Sequence, residues 1–198
     1  MNMIEICRCT AFEGSRRIAQ GELAEVALAA KAAIDGGGTE PVLIFDDGTA
    51  KVIDVELRGS PEDVRQRLKQ HTETMAVDAD AGPEGSKRPG RPKLGVIGRE
   101  VTLLPRHWDW LNDQPGGASV ALRKLVEDAR RANEGADRKR RARDTAYRFM
   151  AAMAGNQPGF EDALRALFAG DAARFNALTE AWPADVRDYA GELAAGAF

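Results

Sequence analysis

Hydrophobic positions in residues 1–71 alternate or cluster in short runs that predict strands and helices in the order ββαββα. Ile4 to Phe12 reads as a strand, Glu13-Gly14-Ser15 as a turn and Arg17-Ile18-Ala19 as the returning strand of a hairpin. From Glu22 to Ile34, residues Leu23, Val26, Ala27, Ala30, Ala33 and Ile34 fall on one helical face, and Gly36-Gly37-Gly38 ends that helix. Val42–Phe45 and Val52–Leu57 flank Asp46-Asp47-Gly48, the residue types of a tight hairpin turn. Ser60 followed by Pro61, Glu62 and Asp63 starts a second helix with Val64 and Leu68 on its apolar stripe. The predicted fold class is α+β, with residues 1–71 as a small domain built on an antiparallel sheet.

The pattern then changes. Between residues 72 and 98 Thr, Asp, Ala, Gly, Pro, Ser, Lys and Arg dominate, which is the composition of a linker. Residues 99–135 read as strand, helix, Gly turn and helix: Arg99 to Pro105, a helix through Trp108 and Leu111, Gln114-Pro115-Gly116-Gly117, and a longer helix from Ser119 to about Asn133. Residues 136–198 form a basic and then acidic helical tail. Its core candidates are Leu164, Leu167, Phe168, Phe175, Leu178, Trp182 and Val186.

Composition fits this picture. The 198 residues are 43% hydrophobic and 30% charged, the balance of a folded globular chain. No run reaches the roughly 20 apolar residues that cross a bilayer, and Met1–Ile6 lacks a secretory pattern, so a cytoplasmic protein with no membrane partner is expected. Cys7 and Cys9 are expected to stay reduced. Charge is divided unevenly: residues 87–148 hold 16 Lys and Arg against 8 Asp and Glu, whereas the rest holds 12 against 23. The net charge of −3 argues against coating nucleic acid along the whole length, but the basic centre can make a local phosphate footprint.

Residues 99–133 resemble the ribbon-helix-helix family of bacterial DNA-binding proteins. The likeness rests on the strand ending in Leu104-Pro105, the inward Trp108 and Leu111, the Gly turn, and the run Ser119-Val120-Ala121-Leu122-Arg123-Lys124-Leu125-Val126-Glu127-Asp128-Ala129. So small a unit buries too little surface to stand alone. The resemblance implies that two copies intertwine, that their strands form a ribbon entering the major groove, and that the amides of Ala118, Ser119 and Val120 grip a phosphate. Alignment on Leu104-Pro105 sends Glu100, Thr102 and Leu104 inward, with Arg99, Val101 and Leu103 toward DNA. Hydrophobicity prefers Val101 and Leu103 inside and Thr102 outward. We take the second register, in which Thr102 faces DNA, and keep Arg99, outward only in the first, as a further DNA-contact candidate.

Lys87-Arg88-Pro89-Gly90-Arg91-Pro92-Lys93 resembles an AT-hook, in which a Pro-stiffened backbone lets Arg enter a narrow A·T minor groove. Lys87, Arg88, Arg91 and Lys93 are its candidate contacts; Pro89 stands where the hook has Arg. Arg138, Lys139, Arg140 and Arg141 add a charge run suited to phosphates.

No catalytic, cofactor or metal constellation emerges. His71 and His107 lack fixed partners, Asp46 and Asp47 read as turn formers, and Cys7-Arg8-Cys9 falls short of a zinc site. A non-enzyme without cofactors is expected. Over nearly its full length the chain also resembles an uncharacterised bacterial family, a domain of unknown function. The strings that carry this include Phe45-Asp46-Asp47, Gly90-Arg91-Pro92-Lys93-Leu94-Gly95-Val96 and Trp182-Pro183-Ala184-Asp185-Val186-Arg187. The expected function is sequence-preferring binding of double-stranded DNA as a homodimer, in a transcriptional regulator. The alternative is an adaptor, in an antitoxin-like variant, that meets a protein partner through the N-terminal domain or the C-terminal helices.

Overall fold

The computed structural model describes the backbone of residues 8–80 and 99–198, and side chains for 8–70 and 99–198. It is α+β: a three-stranded antiparallel sheet near the N-terminus is followed by helices. Two compact units result, Met1–Asp78 together with Ala136–Phe198, and Ala79–Gly135.

In the first unit, β1 (Arg8–Glu13) and β2 (Arg16–Glu22) form the expected hairpin around Gly14, whose φ of 57° is easiest for glycine. Opposite Ala19 and Arg17, a bulge shifts the register between Ala11 and Phe12. On its other edge β1 pairs with β3 (Val42–Asp46), placing Ala11 opposite Ile44 in the sheet order β2-β1-β3. The fourth strand expected at 52–57 does not form. Its pairing is limited to a single bridge, Val52 to Phe45, after which Ile53, Val55 and Leu57 turn aside and pack on the helix-facing core.

Both faces of the sheet are covered. Cys9, Ala11 and Ile44 face α1 (Leu23–Asp35) and α2 (Pro61–Asp80), with Val26, Ala27, Ala30 and Val64 completing that core. Alternate residues of the same strands, Phe12 and Phe45, face the other way. There they meet the C-terminal half of α4 (Gly117–Met153) and α7 (Ala184–Ala194). Phe149 is the hub, with ring centroids 5.4 Å from Phe12, 5.2 Å from Phe45 and 4.8 Å from Tyr189. Helices α5 (Phe160–Ala169) and α6 (Ala172–Thr179) extend this core through Leu167 and Phe175, and the Trp182 indole donates to the Pro158 carbonyl at 2.9 Å. The sheet and the helical tail, separated at 71 and 136 on sequence pattern, are therefore one body.

Helix α2 begins where Ser60 predicts it. The Ser60 hydroxyl accepts from the Asp63 amide at 3.2 Å, and the Asp63 carboxylate accepts from the Ser60 amide at 2.7 Å, a reciprocal cap. The Ser60 amide, together with the Ser60 hydroxyl donating to the same carboxylate at 2.8 Å, holds the Asp63 carboxyl below its ordinary value. A group depressed in this way adds stability above its unfolded pKa and loses it as pH falls through the folded one. Replacing Ser60 by Ala should lower stability by about 1 kcal/mol at neutral pH in urea unfolding, and by less at acid pH. The helix continues through Asp80, beyond the expected linker start at 72, because Thr72–Asp80 contains no Gly or Pro and Gly82-Pro83 comes later. No described helix is long and apolar enough to cross a membrane.

Candidate nucleic-acid interface

In the unit Ala79–Gly135, Pro105 opens α3 (Pro105–Asn112) at a first-turn position, where its missing N–H costs nothing. Asp113–Gly116 then turns the chain, with Gly116 at φ 89°, into α4, which starts two residues earlier than Ser119 predicts. This α3–turn–α4 arrangement buries only Leu111 and Ala121 well, with Trp108 and Leu122 half-buried. Other apolar residues of this unit are in water: Val101, Leu125 and Val126, expected inside, are 54%, 47% and 65% exposed, and Trp110 is 52% exposed. Trp110, Pro115, Ala121 and Leu125 line a shallow groove of about 180 Å³.

The expected strand at 99–104 is absent from the single chain; these residues form no regular element, and the described sheet contains only β1, β2 and β3. A strand requires a hydrogen-bonded neighbour, and 99–104 has none among the described residues. Val101, expected inside, is exposed, Leu103 is half-buried, and Arg99 and Thr102 are exposed. Ser119 is exposed in the first turn of α4, and its carbonyl accepts from Arg123 Nε at 3.1 Å.

Arg138, Lys139, Arg140 and Arg141 are exposed on α4 within the other unit. Arg140 pairs with Asp137 at 2.9 Å; among the described residues the other three have no carboxylate within ion-pair distance. The hook-like Lys87, Arg88, Arg91 and Lys93 lie outside the described residues. The fold thus gathers 138–141 on one helix and Arg99, Thr102 and Ser119 in the other unit.

Sequence pattern missed a polar junction around Asp47. Asp46 is the turn former, accepting from the Thr49 amide and hydroxyl, both at 2.7 Å. Asp47 instead ties the layers together: its Oδ1 accepts from the Thr10 hydroxyl at 2.7 Å and the Tyr189 phenol at 2.8 Å, and its Oδ2 from Gln20 at 3.3 Å. Burial pushes the Tyr189 phenol above its ordinary value and the Asp47 charge adds to this, against the Thr10 hydroxyl. Tyr189 accordingly stays a proton donor. Thr145 and Arg148 of α4 hold the same turn by donating to the carbonyls of Gly48 and Thr49. The one sequence clue was a second Asp beside a turn that uses only one. Asp47→Ala should cost about 2 kcal/mol or more, because Thr10 and Tyr189 are left buried without an acceptor. Asp47→Asn should cost less; urea midpoints compare the two.

No group of three or more His, Cys, Asp or Glu suited to a metal occurs among the described residues. The model of a bacterial family described as an uncharacterised protein conserved in bacteria, DUF2239, matches residues 8–194. The chain belongs to this family. The DUF2239 match takes in residues of both units. No curated protein and no solved structure matches this DUF2239 chain.

Proposed function

We propose that the protein binds double-stranded DNA as a homodimer, in the role of a transcriptional regulator without enzymatic activity. One observation carries this reading: the α3–turn–α4 arrangement leaves Val101, Trp110, Leu125 and Val126 in water around a core of little more than Leu111 and Ala121. Such a face is completed by a second copy. Pairing of two 99–104 segments would give the backbone of those residues its missing ladder and present Thr102 to a groove, with Arg99 on the opposite face at the start of the strand as a phosphate contact. Ser119 at the start of α4, the 87–93 arm and the 138–141 run would add phosphate and minor-groove contacts.

The test is an anisotropy titration on random-sequence and A·T-rich duplexes at two salt concentrations. Binding should fall steeply as salt rises, because released counterions set the slope. Replacing Arg88 and Arg91 should weaken A·T-rich binding selectively. Absence of binding to either duplex at low salt would remove the proposal.

A second reading, the adaptor, draws on a groove of about 620 Å³ between α1 and α2, where Leu23, Leu28 and Leu68 lie between Glu25, Glu62, Arg65 and Lys69. A monomer in solution that ignores duplex DNA would favour it.

A further inference from the structure

Phe168 reads as a core residue in the sequence, yet it is 50% exposed at the end of α5, and its edge-on neighbour Tyr147 of α4 is 44% exposed. Their ring centroids are 6.2 Å apart at 61°, which leaves at least one broad face of each ring outside the contact. Packing of α4 on α5 does not require the pair, since Phe149, Met150, Ala163, Ala166 and Leu167 already share one buried core. Two large aromatic rings therefore remain half in water at the edge of that core.

Their surroundings are strongly cationic. Residues 137–150 contain six Lys and Arg against two acids, Asp137 and Asp144. Arg143 and Arg140 lie four and seven residues before Tyr147, on the same face of α4. Arg143 reaches the end of α5, where its Nη2 lies 3.3 Å from where a Cβ on Gly170 would stand, and donates to the Ala197 carbonyl at 3.4 Å. Among the described residues, only Arg140 of the six cations has a carboxylate partner.

Half-exposed aromatic faces provide stacking platforms for bases, and arginines beside them attract the phosphates that link those bases. From this juxtaposition we infer that Tyr147 and Phe168, with Arg140 and Arg143, form a binding surface for single-stranded nucleic acid. It requires neither a second copy nor a strand at 99–104, and so it stands apart from the duplex reading, although Arg138–Arg141 serve both. Stacking is tolerant of sequence because every base has a π face, so the surface should show little base preference.

The experiment is a fluorescence-anisotropy titration of the full chain with a short labelled oligothymidylate, and with a duplex of equal length as reference. Wild type should bind the single strand at low salt. Tyr147→Ala and Phe168→Ala should each weaken it about fivefold or more, leaving duplex affinity unchanged. Tyr147→Phe, which keeps the ring, should bind like wild type, and Tyr147→Leu should lose affinity as alanine does while preserving the apolar contact with Phe168. Failure of wild type to bind the single strand would overturn the inference, even if the duplex is bound. So would alanine variants that bind it like wild type. A drop in solution mass in these variants, with single-strand affinity unchanged, would show the pair to be a protein interface.

Discussion

Phe149→Ala is expected to destabilise the protein by about 3–5 kcal/mol, the range for deleting a buried aromatic side chain. Phe149 is fully buried and touches aromatic rings from three other elements, Phe12 of β1, Phe45 of β3 and Tyr189 of α7. Its removal opens a cavity where the sheet meets α4 and α7, so the sheet and the C-terminal helices should lose stability together. Far-ultraviolet and tryptophan-fluorescence unfolding curves should shift by the same amount. With Trp108 and Trp110 replaced by Phe, Trp182 in the same core reports the helical side, and the far-ultraviolet signal reports helices and sheet together. A chain ending at Gly135 lacks Phe149 and Tyr189, and its sheet should fail to fold.

The double substitution Leu125→Asp and Val126→Asp has the second largest expected effect, and it falls on assembly and not on folding. Both side chains are already about half or more exposed, so the single chain loses little. In a homodimer each would be buried, and burial of a Leu or Val side chain is worth about 1.5–3 kcal/mol. Losing two per copy should weaken association at least about a hundredfold, and duplex binding should fall with it. Loss of duplex binding with association intact would place these residues at the DNA, not at the dimer contact.

Local signals were readable. Gly14, Gly36 to Gly38, Ser60 and Asp46 mark turns and helix ends that the structure keeps, because each acts through its own neighbours. Long-range closure was not legible in the residue types of β1. Thr10, Ala11 and Phe12 are consecutive and fully buried, without the alternation of a strand that has one wet face. A strand of this kind has both faces covered, which calls for helices beyond α1 and α2. The sequence order hid them, since α4 and α7 return to the sheet from more than a hundred residues away. The fourth strand failed for a related reason: Ile53, Val55 and Leu57 find a better apolar surface on the α1 core than in extending the sheet.

At the candidate interface, residue types were legible and geometry was not. The apolar spacing of Leu122, Leu125 and Val126 marks a helix face, but whether its own chain covers it depends on neighbours that spacing does not specify. Phe168 illustrates the converse. It fits the apolar period of α5, yet falls at the edge where α5 leaves the core.

If a second copy of the chain completes residues 99–126, sedimentation equilibrium of the intact protein should give a mass of twice 21.4 kDa, falling to the single-chain value in the Leu125→Asp, Val126→Asp variant. A wild-type mass of 21.4 kDa across the whole accessible concentration range would contradict it.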